Sequence, residues 1–194
     1  MKKIKPEIRI LGIDDSPIED KTKGENVRCI GTIYRGGNYI DGLLSFKIKK
    51  DGENATDKII EAVNKTRHKD QLQIILIDGI TLAGFNVVDI NKIYQETGLA
   101  VIIVMRKEPN MKEFLEALKN IDDGKRAKII EKTGKPEEIE INREKLYIQK
   151  AGINKTKIKE ILLLTCINSN LPEPLRVAHL IASGIYYGES HGAA

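Results

Sequence analysis

Two apolar runs stand out in the hydrophobic pattern of this chain, and each ends on acid. Ile74-Ile75-Leu76-Ile77 runs into Asp78-Gly79, and Ile8-Arg9-Ile10-Leu11-Gly12-Ile13 runs into Asp14-Asp15. Apolar runs bounded by turn residues read as central strands covered on both faces. Sites of open sheets gather beyond the carboxyl ends of such strands, so two carboxylates at one edge would suit a hard cation such as Mg²⁺ or Mn²⁺. An Asp after a strand also serves as a turn or helix cap, and the pattern alone leaves that role open for each of them.

Other runs fill in the order of elements. Val27 to Tyr34 and Asn38 to Ile48 are strand-like and are joined by Arg35-Gly36-Gly37-Asn38, a glycine pair suited to a tight hairpin. Asn54 is placed to cap a helix with Ala55, Ile59, Ala62 and Val63 on one face and Asp57 positioned for a reciprocal contact. Strand Leu72 to Asp78 leads to a helix that Asn86 should cap, with Asp89 in its first turn and Gly98 as its stop. Strand Leu99 to Met105 follows, then a helix capped by Asn110 and showing Met111, Phe114, Leu115 and Leu118. Leu146 to Gln149 is a short strand, and Thr156 to Cys166 and Pro174 to Tyr186 are helices. Asp14 to Gly24 reads as a polar loop. The charged stretch 121–140, broken by Gly124, Gly134 and Pro136, reads as an irregular excursion.

At 194 residues, with 41% hydrophobic and 31% charged positions, the chain has the size and composition of one folded domain spanning 1–194. A net charge of +4 from 32 basic and 28 acidic residues permits an anionic partner without requiring one. Cys29 and Cys166 match no zinc or redox spacing and read as buried thiols of a reducing compartment. No apolar run is long enough to cross a bilayer and no secretory signal is visible, so the cytoplasm is the expected location. Neither Gly-Lys-Ser/Thr nor Gly-x-Gly-x-x-Gly occurs, which disfavours ATP and nicotinamide sites.

Three leading strands, the last two a hairpin, followed by helix, strand, helix and strand, is the order of the ribonuclease H-like fold. The expected architecture is therefore α/β, a mixed five-stranded sheet with helices on both faces, in which the first and fourth strands lie side by side. That adjacency would bring Asp14 and Asp78 together. The chain also resembles an archaeal family related to endonuclease V and labelled endonuclease dU. The matching stretches are Gly12-Ile13-Asp14-Asp15-Ser16, Arg35-Gly36-Gly37, Tyr39-Ile40-Asp41-Gly42-Leu43-Leu44-Ser45-Phe46, Ile77-Asp78-Gly79 with Leu82-Ala83-Gly84-Phe85-Asn86, and Leu171-Pro172-Glu173-Pro174-Leu175-Arg176-Val177-Ala178-His179.

The resemblance implies a Mg²⁺- or Mn²⁺-dependent endonuclease that cuts a phosphodiester near a deaminated base, uracil or hypoxanthine, with DNA as the expected partner. It implies Asp14 and Asp78 as catalytic metal ligands. Asp51 is the choice for a third ligand, with Asp15 or Glu53 as substitutes. Arg106 and Lys107 would meet phosphate, and Tyr39 would meet a base. Arg176 and His179 share a helix face and are substrate-binding candidates, with the structural alternative that Arg176 pairs with a carboxylate and His179 is a hydrogen-bonded near-core residue.

Three departures from endonuclease V weigh the other way. Its third strand resembles Phe-Arg-Glu, the Glu a metal ligand, where this chain has Phe46-Lys47-Ile48. Its wedge resembles Tyr-Ile-Pro-Gly, where this chain has Tyr39-Ile40-Asp41-Gly42. A Gly-His before the penultimate helix is matched here by Gly152-Ile153. The alternative function is accordingly a nucleic-acid-binding or regulatory protein that has lost its nuclease chemistry. A homodimer is compatible with either.

Overall fold

The computed structural model describes residues 4–18, 25–119, 121 and 124–191. Of the expected polar loop, 19–24 lie outside the described residues, as do 122 and 123 of the charged stretch. Strand β1 (Arg9–Asp15) pairs antiparallel with β2 (Asn26–Arg35), and β2 pairs antiparallel with β3 (Tyr39–Lys49). The hairpin turn between β2 and β3 needs Gly36, whose φ of +59° is a conformation that side chains disfavour. Helix α1 (Ala55–Lys65) returns the chain to β4 (Leu72–Asp78), which lies parallel to β1 with Gly12 opposite Leu76 and Ile13 opposite Ile77.

A small hairpin, β5 (Thr81–Leu82) with β6 (Asn86–Val87), follows β4, and α2 (Ile90–Thr97) leads into β7 (Ala100–Met105), parallel to β4. Next come α3 (Met111–Leu118), α4 (Lys125–Thr133), β8 (Glu137–Ile141), β9 (Glu144–Ala151), α5 (Lys155–Thr165) and α6 (Glu173–Tyr187). The sheet order is β3-β2-β1-β4-β7-β9-β8. Its first five strands are the expected mixed ribonuclease H-like sheet. Two further strands extend it, because β9 pairs antiparallel with β7 and β8 with β9.

Side-chain alternation in the apolar strands builds two cores, which is why these strands carry no polar face. Leu11, Ile13, Ile75, Ile77, Val101 and Ile103 pack with Ile59, Val63, Ile90 and Ile93 of α1 and α2. Ile10, Ile74, Leu76, Ile102 and Val104 pack on the other face with Ile158, Ile161, Leu162 and Leu175 of α5 and α6. Each such buried Ile or Leu contributes about 1.5–3 kcal/mol over its exposed state.

The charged stretch departs from expectation. It holds a helix, α4, between Gly124 and Gly134, followed by strand β8. Charge hid the helix because one of its basic residues points inward. Arg126 is buried and donates from Nη2 to the carbonyls of Asp51 and Gly52. The caps of α1 and α2 differ as well. Asp89, not Asn86, caps α2 by accepting from Lys92 N. Asn86 is fully buried and serves α1 from a distance, its Oδ1 accepting from Ala55 N and its Nδ2 donating to Lys49 O and Asn54 Oδ1.

Candidate functional site

The seating of α6 on the sheet decides the site. Gly12, Asp14 and Ser16 share one face of the β1 end because successive side chains alternate. At Gly12 a Cβ would overlap the backbone of Pro174, so only glycine admits the helix this close. Thr32, directly across from Gly12, donates its hydroxyl to Pro174 O at 2.5 Å. Two residues beyond Gly12, Asp14 Oδ2 lies 2.8 Å from His179 Nδ1. Two more residues on, Ser16 Oγ donates to Ala182 O at 3.4 Å. Two strand residues span roughly 6.6 Å and four helical residues about 6 Å, so strand and helix advance nearly in step.

Asp14 is 6% exposed. Its second oxygen, Oδ1, accepts from Asp15 N at 2.8 Å. The hydrogen bond to Asp14 holds the imidazole of His179 above the usual His range, and a further bond to the His191 backbone acts in the same direction. Asp78 ends β4 one position past the Ile13–Ile77 pair, which places it beside Asp14 on the neighbouring parallel strand. Burial first, and the charge of Asp14 next, push the Asp78 carboxyl up to about 6, with Arg106 and His179 opposing. Burial and then Asp14 likewise push Asp15 up to about 7, and Asp78 adds to it. The carboxyl edge of β1 and β4 thus concentrates negative charge that the protein itself only partly offsets.

The remaining candidates fall in different places. Asp51 adopts φ +52° after β3, and its Oδ1 accepts from Phe85 N at 2.9 Å. Asp15 Oδ2 accepts from Ala83 N in the same turn, so these two carboxylates grip the β5–β6 turn together. Glu53 is an exposed side chain with its carboxylate 4.0 Å from Arg126. Arg106 and Lys107 follow β7 and are exposed, Arg106 close enough for its charge to act on Asp78. Tyr39 is 67% exposed, but it pairs with Arg35, which pairs with Arg9, at the opposite end of β1 from Asp14.

Arg176 makes a two-pronged pair with buried Glu173, at 2.7 and 2.8 Å, the structural alternative for that residue. Asp41 pairs with Arg9 and Arg35, Ile48 is fully buried, and Ile153 is partly buried against the α5 core. Sequence reasoning missed the partnership of His179 with Asp14. The Gly12 and Pro174 pair was its one visible signal, and its meaning depends on helix position.

Among the described residues, no three His, Cys, Asp or Glu side chains form a group that could hold a metal ion. The expected set of Asp14, Asp78 and Asp51 is therefore not assembled here, since Asp51 is engaged at the 83–85 turn. What is assembled is a pair of hard oxygen donors, Asp14 and Asp78, with Asp15 adjoining. Mg²⁺ typically takes one or two carboxylates and completes its shell with water and substrate phosphate. Burial and, after it, the charge of Asp14 raise Asp15 and Asp78, and an ion at this edge would favour their charged forms, so the donors fit it.

The chain matches the family described as Endonuclease dU over residues 6–186. It is 50% identical to a UPF0215 protein of Methanosarcina mazei, across 98% of this chain and 97% of that one. The crystal structure of a protein of unknown function from Archaeoglobus fulgidus superposes with a TM-score of 0.81 at 39% identity, covering 91% of this chain and 97% of that one. Human endonuclease V superposes with a TM-score of 0.58 at 14% identity, covering 90% and 82%, a likeness of fold. Among the described residues, no helix is long and apolar enough to cross a membrane.

Proposed function

The chain belongs to the endonuclease dU family, and from that premise we propose that it is a Mg²⁺- or Mn²⁺-dependent endonuclease acting on DNA near a deaminated base. The observation that supports it most is the placement of Asp14 and Asp78 side by side at the carboxyl ends of adjacent parallel strands, with His179 bonded to Asp14. These two carboxylates would hold the ion, with Asp15 as the adjoining third acid. A divalent ion in that position supplies Lewis acidity toward a phosphate oxygen and toward water.

The chain's own residues carry the other tasks. His179 fixes the orientation of the Asp14 carboxylate, as outer partners of ligating groups do. Arg106 and Lys107 border the site beyond β7 and offer positive charge to the phosphate backbone. Hydrolysis joins a water oxygen to phosphorus and breaks the bond to one deoxyribose oxygen, which leaves with a proton.

A second reading is favoured by two observations. Ile48, where endonuclease V has a metal-binding Glu, is buried in the core, and the described residues hold no three-ligand group. On that basis the same edge would bind nucleic acid without cutting it. The two are separated by incubating end-labelled single- and double-stranded DNA and RNA, bearing uracil, hypoxanthine or only normal bases, with Mg²⁺ or Mn²⁺. Scission beside the deaminated base supports the nuclease. Salt-sensitive binding without scission supports the binder.

A further inference from the structure

The face of the sheet that carries Asp14 continues sideways into a groove. Asp14 pairs with Ile30 and Ile30 with Ser45, so two residues along each strand Arg28 and Lys47 come to lie on that same face. Helix α6 covers Ile30 with Ala178 and Ala182 and packs mainly on β1 and β2. Ser45, Lys47 and Lys49 are exposed on the edge strand β3.

Across from them stand Ile185 and Tyr186 of α6, 58% and 44% exposed. Between β3 and α6 is a cavity of about 270 Å³ lined by Arg28, Lys47, Ile185 and Tyr186 together with Ser16, and among the described residues Glu25 is its one acid. Ser16 N donates to Arg28 O at 2.8 Å, so the groove opens directly beside the Asp14 end of β1. Arg28 Nη1 donates to Ser45 Oγ at 2.8 Å, and among the described residues neither Arg28 nor Lys47 is paired with a carboxylate. Arg28 lies roughly 7 Å along and 5 Å across from Asp14.

We propose that Arg28 and Lys47, with Tyr186 opposite, form a second nucleic-acid subsite that holds one single strand on the β3 side of the carboxylates. It rests on the nuclease reading for its purpose but not for its test. Two features select the occupant. Two cations that, among the described residues, have no carboxylate partner match consecutive phosphates. The exposed Tyr186 ring can stack only on a base that is not already stacked in a duplex. In sheet order, cations on β3 and β2 precede the carboxylates on β1 and β4, and Arg106 and Lys107 lie just past the end of β7. A strand lying across the edge would meet positive charge on both sides of the acids.

The test is fluorescence anisotropy of the full chain with a labelled sixteen-residue thymidine oligonucleotide in EDTA, at several salt concentrations. Arg28→Gln with Lys47→Gln should flatten the dependence of log Kd on log salt by about 1.4, two phosphate contacts on a single strand. Tyr186→Ala should weaken binding roughly 5- to 100-fold with the slope unchanged. Lys132→Gln with Lys135→Gln, near the far edge of the sheet, should change neither, and melting curves establish that every variant folds. Lys47→Glu alone provides the charge test if the double variant is unstable.

An unchanged slope in both Arg28/Lys47 variants overturns the proposal, as does wild-type protein that binds no strand or that binds the annealed duplex with the same dependence. Binding requires no cleavage, so the subsite stands if a non-cutting protein shows these effects. Conversely, it falls if an active nuclease does not.

Discussion

His179 Nδ1 stands 2.8 Å from Asp14 Oδ2, joining residues 165 positions apart in sequence. The contact exists because Gly12 lets α6 lie against β1 and because strand and helix then advance at nearly the same pitch. It ties the first strand, which carries an acid, to the last helix, which carries the group that orients it. Asp14→Asn and Asp78→Asn should each lower cleavage roughly 100-fold or more, since either removes a ligand charge at nearly constant volume. His179→Ala should cost about 10- to 100-fold, the usual range for an outer partner of a ligating residue. Single-turnover cleavage of a uracil-containing oligonucleotide measures all three. Full activity in Asp14→Asn and Asp78→Asn would overturn the site.

Gly12 gives a prediction independent of activity. Gly12→Ala places a methyl group on the Pro174 backbone, where no flexible side chain can yield. The helix must shift, at a cost of about 1–3 kcal/mol. Urea unfolding should show that loss. The His179 resonance should also move toward its free titration range as the bond to Asp14 lengthens. Unchanged stability would mean that α6 is not held where Gly12 and Thr32 place it.

The strand ends were legible because apolar runs with terminal acids have few alternatives, and the order of elements then placed β1 beside β4. Less of the site was legible. Asp51 looked like a ligand because it follows β3. Whether a carboxylate at a strand end faces solvent or a neighbouring turn depends on the backbone, and φ +52° turns this one toward Phe85. Asn86 read as a local cap, whereas it satisfies α1 across 31 positions. Arg126 lay in a segment that read as an irregular excursion, yet its guanidinium is buried and donates to two backbone carbonyls. Tyr39 was matched by motif, and only the hairpin register reveals that it sits at the other end of β1. Each of these depends on a long-range contact that local pattern does not encode.

The raised carboxyls predict how stability varies with pH. Asp15 and Asp78 are held at about 7 and about 6, above their unfolded value of 3.8, so between those limits the folded state binds more protons than the unfolded one. The stability they contribute is complete below about pH 4 and is lost as pH rises through 6 to 7. Asp78→Asn should therefore melt higher than wild type at pH 8 in EDTA, by on the order of 1–3 kcal/mol, and nearly equal to it at pH 4. Millimolar Mn²⁺ should raise the wild-type melting temperature at pH 8, since the ion binds only the folded, deprotonated pair, and should do so less in Asp78→Asn. Calorimetry across pH 4–8 checks both. No Mn²⁺ shift in wild type would count against Asp14 and Asp78 as ligands.

Asp51 separates a ligand from a positioning residue. Its Oδ1 accepts from Phe85 N, its backbone N donates to Ala83 O, and its carbonyl accepts from Arg126, so one residue fastens β3, the β5–β6 turn and α4. Asp51→Asn keeps an acceptor oxygen for Phe85 N and should retain most stability, whereas Asp51→Ala leaves that donor unanswered and should cost about 1–3 kcal/mol. If Asp51 serves as the third ligand when metal is present, Asp51→Asn should weaken Mn²⁺ binding and cleavage as strongly as Asp78→Asn does. If its task is to hold the turn, Asp51→Asn should bind Mn²⁺ and cut nearly as wild type, while Asp51→Ala loses stability and activity together. The geometry favours the second outcome, because Asp15 grips the same turn at Ala83 N and a loosened turn would disturb the acid that adjoins Asp14. Isothermal titration with Mn²⁺, run beside the melting curves of both variants, decides between them.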